Sequence, residues 1–488
     1  MRLKSLPCKR SNKCASLLFV AVGALAPAVH AQVPPSTTTE VAPPEPAIAD
    51  PVAAPTVAEP VVEPPPPAPS EVPPEAPPEV PPAEVPLQGW DPQWKTTTTT
   101  TPPAVFPVRP PTAGPQLEGP RDGAPDCRVN AAVCVKNDLF AIWPRLRLRT
   151  GYEFVQADSQ ILTVGQNDGF FIDQTRIGLD GAFKDDLRFR LIVDVVTLLP
   201  GGAPNDPVQG ISAAVRDAWV AWMPSDWFFL SVGQQFMPSD LEGSSTIAAL
   251  PFARRSVATS GVKAGHGFAV NGLSPSRQMG LVFGSTEKAK IAGVGIEYLF
   301  AVANGNGQNI LGNDNKLPAG YGRVGASLGD MVRVGVGGRH NPRTVGTLPN
   351  LFNEVENLGF VDATVKLLGI SVSAQGMMKQ TSFGTLFPDG GEGSDDVGVG
   401  VTGWIFADDP FGISLFGVIP AYRFSYYDPS STFDDDQLIE NTLGVRWDVP
   451  VDGLPLALFV DGTLLTEFGT NVRDLDNARV TALLQLEL

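Results

Sequence analysis

An all-β, membrane-spanning antiparallel barrel of about sixteen strands is the fold this sequence predicts, and three observations predict it. From about Leu139 onward, apolar and polar residues alternate with period two in a series of short runs. The connections between those runs alternate between short turns and longer polar loops, as the two sides of an outer-membrane barrel require. Ahead of both stands a basic, then apolar, then small-residue terminus of the kind that directs export.

Residues 1–31 are expected to be a signal peptide. Arg2, Lys4, Lys9, Arg10 and Lys13 form the basic head, an apolar run follows from Ala15 to about Ala28, and Val29-His30-Ala31 makes a small-x-small cleavage site. The apolar run is too short for a helical anchor. Cys14 precedes the apolar core instead of following it, which argues against lipid attachment. Loss of the leader leaves Cys127 and Cys134, which in an oxidising compartment can close a small loop just ahead of the barrel or stay reduced.

Residues 32–126 are expected to form a disordered periplasmic arm. From Val33 to about Pro120 the chain repeats short Pro, Ala, Glu and Val units and then runs through WKTTTTTTPP. Proline removes amide donors and fixes φ, and the apolar surface is too small to offset the entropy of ordering. At ~3.1 Å per residue such an arm could reach on the order of 250 Å if it were wholly polyproline II. Two roles stay open for it: a tether to peptidoglycan through residues 33–120, or a passive extension.

Residues 127–488 are expected to hold the barrel. Arg145-Leu146-Arg147-Leu148-Arg149-Thr150-Gly151-Tyr152-Glu153-Phe154 puts charges on one face and leucine and aromatics on the other; Leu187 to Val195 does the same with Arg188 and Arg190. Similar runs are expected near 171–182, 215–223, 228–235, 277–284, 291–302, 320–328, 332–339, 356–367, 370–379, 396–406, 413–427, 437–448, 456–465 and 477–488. Short turns fall at Phe183–Asp186, Pro224–Asp226, Ser285–Lys290, Gly329–Met331, Leu368–Gly369, Ala407–Gly412 and Pro450–Pro455. Longer loops fall near 158–169, 197–214, 236–276, 303–319, 340–355, 380–395, 428–436 and 466–476. An even strand number places both ends of the barrel chain, and so the arm, on the short-turn side. The run from Ala478 to Leu488 suits closure against the first strand.

The longest loop, about 236–276, carries Arg254, Arg255, Lys263 and His266, and is expected to fold inward and narrow a water-filled pore. If leucine and phenylalanine face lipid, the opposite parity puts Arg145, Arg147, Arg149, Arg176, Arg188 and Arg190 in the lumen, with Arg333, Arg339 and Arg446 further round. Two readings stay open: these arginines form a path that passes anions along by repeated weak pairing, or they are pinned to Glu153, Asp180, Asp194 and similar carboxylates and stiffen the wall.

Several stretches resemble the phosphate-selective (polyphosphate-selective) porin family: Gln174-Thr175-Arg176-Ile177-Gly178-Leu179-Asp180-Gly181, Arg216-Asp217-Ala218-Trp219-Val220, Val232-Gly233-Gln234-Gln235-Phe236-Met237-Pro238, Ala253-Arg254-Arg255-Ser256 and Ala303-Asn304-Gly305. The resemblance runs over most of the chain from about Leu139. It implies a sixteen-stranded barrel assembled as a homotrimer, an inward third long loop, and arginines and lysines along an anion path. The chain departs from that pattern in ending its last strand on Leu488 where an aromatic is usual, and in its acidic balance.

That balance has a location. The formal charge of −17 splits into +5 over residues 1–31, −10 over 32–126 and −12 over 127–488. Nucleic acid is therefore excluded as a partner. The acidic loop tips at Asp395, Asp396 and Asp434 to Asp436 are expected to face outward, beyond a Debye length of about 8 Å from the narrow zone. The expected partners are outer-membrane lipid, lipopolysaccharide and small hydrophilic solutes or anions. No cofactor and no metal are expected, since His266 and His340 have no His or Cys neighbour at ligand spacing. No enzyme is expected either, because no serine nucleophile is singled out. The competing reading is a structural barrel that anchors a cell-wall-interacting arm.

Overall fold

The computed structural model describes residues 135–136, 139–158, 164–165, 168–184, 186–195, 213–267, 270–313, 315–347, 350–383, 395–432, 436–451, 455–468 and 476–487. The leader, the proline-rich arm, Cys127 and Cys134 lie outside those residues.

Sixteen long strands follow one another: β1 Phe140–Val155, β2 Gly169–Phe183, β3 Leu187–Asp194, β4 Ala214–Ser225, β5 Phe228–Phe236, β6 Arg277–Gly284, β7 Val294–Ala303, β8 Ala319–Leu328, β9 Val332–Thr347, β10 Asn350–Leu367, β11 Ile370–Phe383, β12 Asp395–Ala407, β13 Val418–Asp428, β14 Gln437–Val449, β15 Leu456–Phe468 and β16 Asp476–Glu487. Each pairs antiparallel with the next. β16 then pairs back onto β1, from Arg147 opposite Glu487 to Val155 opposite Arg479. The sheet is thereby closed and has no free edge among these strands. Two short pieces, Val135–Lys136 and Lys290–Ile291, add to the ladders at β1 and β7.

Period-two alternation decides what each face meets. Leu179, Leu191, Val220, Val334, Val336, Leu443, Leu464 and Leu484 are exposed on the outer face, a surface that only lipid covers favourably. The opposite parity carries Arg149, Arg323, Asp362, Arg423, Glu440 and Thr481, all buried inside. No described helix is long and apolar enough to cross a membrane.

One expected loop is absent. Residues 340–355 continue as ladder, with β9 and β10 paired without a break from Val332 opposite Val365 to Thr347 opposite Asn350. The polar composition there marks strand that has left the lipid zone, and the pairing is held by Arg343, whose Nη2 lies 2.5 Å from Glu354 Oε1 on the facing strand. A second difference lies at the β12–β13 turn, which runs on to residue 417, so that β13 begins at Val418 and not at 413. Its tight backbone puts Asp409, Phe411 and Phe416 at positive φ, which disrupts the ladder although the composition stays apolar.

Candidate functional site in the barrel lumen

The connection between β5 and β6 is the long inward segment, and local chemistry explains its shape. Asp240 caps a four-residue helix, α1 (Leu241–Ser244), by accepting from Gly243 N at 2.8 Å. Ser256 caps a second, α2 (Val257–Ser260), as side-chain acceptors at that position do. The tip then doubles back, Gly261–Val262 pairing with Val270–Asn271. Gly261 sits at φ +75, and a Cβ there would lie 1.9 Å from the Val270 carbonyl oxygen, so only glycine makes this turn.

The segment is bound to the inner wall at many points. Ala253 N donates to Asp461 of β15 at 2.7 Å, Arg149 of β1 donates to Ala253 O at 2.6 Å, and Arg423 of β13 donates to Arg254 O at 2.7 Å. Glu242 N and Thr259 Oγ1 meet Gln375 of β11 at 2.8 and 2.9 Å. Arg423 bridges Glu242 of the segment and Glu440 of β14. Phe252 and Leu241 pack in a dry cluster with Trp404, Phe406, Ile419 and Ala421. Val257, Ala258, Val262 and Leu273 do the same with Leu358, Phe360, Met377, Tyr427 and Leu438. The β10–β15 side of the lumen is thus filled, and the buried charges of Arg423, Glu242 and Glu440 are paired there.

The β1–β4 side differs. Arg145, Arg147 and Arg149 share the inner face of β1, Arg176 lies on β2, and Arg188 and Arg190 lie on β3, so the predicted parity holds. Their pairings are tight: Arg145 and Arg190 both bind Asp180, at 2.8 and 2.7 Å; Arg147 binds Glu487 at 2.6 Å; Arg176 meets Asp194 at 3.3 Å. Arg149, its side chain 0 % exposed, binds Asp173 at 2.8 Å. Arg145 keeps 32 % of its side chain exposed. Among the described residues, the carboxylates of Glu153, Asp173, Asp180, Asp194, Asp217 and Glu487 are fewer than the guanidinium groups facing them, because Arg216 of β4, Arg277 of β6 and Arg254 of the segment join the same wall.

Two β-bulges shape this wall, and the sequence did not disclose them. The β1–β2 register shifts between Arg149 and Thr150, leaving Asp173 as an extra residue on β2. That extra residue turns Asp173 inward beside Gln174, within reach of Arg149 and of Arg254, which lies 3.6 Å away. The β3–β4 register likewise shifts and leaves Arg216 extra on β4, where it reaches Asp194 at 3.8 Å.

The three constriction candidates part company. Arg254 binds Glu153 at 3.0 Å and lies over the Phe171 ring at 5.1 Å. Arg255 donates to the carbonyls of Glu242, Gly243 and Ser245, at 3.1, 3.4 and 2.6 Å, and so closes the end of α1. Lys263 is exposed and has no ion pair within 4 Å among the described residues. The nearby Arg254 guanidinium pushes its ammonium down to about 8, which leaves it mostly charged at neutral pH. His266 was placed on the inward loop from the sequence, whereas Arg277, Arg323, Arg423 and Arg479 were not picked out as lumenal residues. For the arginines the signal was present: Tyr422-Arg423-Phe424 has the same charge-between-aromatics alternation that marks β1.

Residues 145–344 match the family described as phosphate-selective porin O and P. Over those residues the chain is similar to that family. The match and the closed barrel support an outer-membrane channel for small solutes. No curated protein matches it. Among solved structures the chain is similar to an anion-selective porin from Comamonas acidovorans, with 14 % identity, TM-score 0.49, and coverage of 72 % of this chain and 100 % of that one. The outer-membrane channel DcaP of Acinetobacter baumannii gives 12 % identity, TM-score 0.49, and coverage of 73 % and 100 %. OmpF of Salmonella typhi, in complex with daunomycin, gives 13 % identity, TM-score 0.45, and coverage of 72 % and 100 %.

Proposed function

We propose that this porin lets small hydrophilic solutes diffuse passively with a bias towards anions, and that residues of the inward segment set the narrow zone. The observation that carries the bias is the excess of guanidinium over carboxylate on the β1–β4 wall, opposite a segment whose Lys263 is exposed and without an ion pair within 4 Å among the described residues. A paired arginine still attracts anions when positive groups outnumber negative ones in a confined, low-dielectric passage. Arg145, Arg147, Arg190 and Lys263 would line the path, with Arg176 and Arg188 beside them; Arg149, Arg254 and Arg255 hold the segment in place. The acidic balance of the chain does not oppose this reading, because Asp395 and Asp396 stand at the long-loop end of β12.

Planar-bilayer recording on the purified protein tests the reading. Stepwise conductance with a reversal potential on the anion side of zero in a KCl gradient is expected. A silent barrel would instead favour the structural anchor. Assembly as a homotrimer is what the family resemblance implies, contact with lipopolysaccharide is inferred from the acidic loop residues such as Asp395 and Asp396, and a cell-wall contact through residues 33–120 from their composition; loss of peptidoglycan co-sedimentation on deleting 33–120 tests the last.

A further inference from the structure

On the porin reading, the width of the passage depends on where the tip of the inward segment sits, and the tip meets the closure seam through His266. Its Nε2 lies 2.7 Å from Glu153 Oε1 on β1, and its Nδ1 lies 3.0 Å from Arg479 Nη1 on β16. Asn477, also on β16, donates to the His266 carbonyl at 3.1 Å. A guanidinium can only donate, so Nδ1 accepts, and the ring proton sits on Nε2, directed at the carboxylate. The imidazole is therefore neutral and uses both nitrogens, one on the first strand and one on the last.

We propose that His266 is the positioning residue that latches the constriction segment to the β1–β16 seam, and that a second ring proton unlatches it. A proton on Nδ1 turns the acceptor into a donor facing Arg479. Arg254 and Lys263, on the segment itself, add like charge around the ring, Glu153 of β1 opposes it, and Asp173 of β2 is engaged by Arg149 and Arg254. Burial, reinforced by Arg479 and opposed by the bond to Glu153, pushes the imidazole down from its ordinary 6.5 to about 4. An undocked tip takes up the proton first as pH falls below 6.5, so docking is at full strength above that value and weakens progressively until the docked ring titrates near 4.

The test pairs bilayer current at pH 7.5 and 4.5 with hydrogen exchange of the whole protein in detergent at neutral pH. Wild-type current should be steady at the higher pH and fluctuate at the lower. His266→Leu should fluctuate at both, with exchange over residues 261–271 raised by about tenfold, the effect of losing one or two buried hydrogen bonds, and exchange over 237–250 unchanged. His266→Gln, whose amide can accept from Arg479 and donate to Glu153 without titrating, should stay steady at both. Wild-type exchange in His266→Leu, or acid fluctuation in His266→Gln equal to that of the wild type, would overturn the latch. A silent barrel in which His266→Leu still exchanges faster would keep the latch and remove the porin reading. If His266→Leu does not insert, Asn477→Ala carries the same exchange expectation.

Discussion

Lys263 and Arg255 stand on the same inward segment and carry the same charge, yet they are set to different tasks by what surrounds them. Arg255 is spent on three backbone carbonyls, whereas Lys263 faces water. Replacing Lys263 with glutamine should lower the anion-to-cation permeability ratio by about twofold, read from the reversal potential in a KCl gradient. Replacing Arg255 with glutamine should leave that ratio nearly unchanged and instead cost about 1–3 kcal/mol of stability, read from thermal melting in detergent, because carbonyls at a buried helix end lose their donors. At this scale the sequence exposed parity but not partners. Arg145, Arg147 and Arg149 could be placed on one face from their spacing alone. That Arg149 would meet Asp173 depended on one extra residue in a ladder, which leaves no trace in composition.

On the proposed function the inward segment is the element on which conductance turns, and its hold on the wall is as much apolar as polar. Phe252 is buried against Trp404, Phe406, Ile419 and Ala421. Phe252→Ala should remove about 3–5 kcal/mol of packing and raise mean single-channel conductance while the strand content, read by circular dichroism, stays the same. Unchanged conductance would mean that the segment does not narrow the passage. Strands were legible because lipid and water impose opposite demands on alternate residues. The β9–β10 hairpin was misjudged for the complementary reason: beyond the lipid that demand lapses, and Asn341, Arg343, Asn353 and Glu354 look like loop while pairing as strand. The length and position of the inward segment were plain in its polar, glycine-bearing composition. Its docking was not, because the groups that fix it, such as Asp461 and Glu440, come from strands much later in the chain.

Across the whole barrel, charge is distributed so that the β1–β4 wall is basic while, among the described residues, the β7–β14 wall pairs its arginines with at least as many carboxylates, among them Glu297, Glu354, Glu356, Asp362 and Glu440. A bias that arises from such a field is screened by salt. Anion preference should decline as ionic strength rises from about 0.1 to about 1 M, where the Debye length shortens from about 10 to about 3 Å; a ratio independent of salt would point to size selection instead. The attachment of the inward segment also orders events in time. Ala253 reaches Asp461 across 208 positions of chain, and His266 needs the first and last strands side by side before it has anything to hold. Final docking of the segment therefore waits on closure of the sheet, which makes narrowing of the passage one of the last events of assembly.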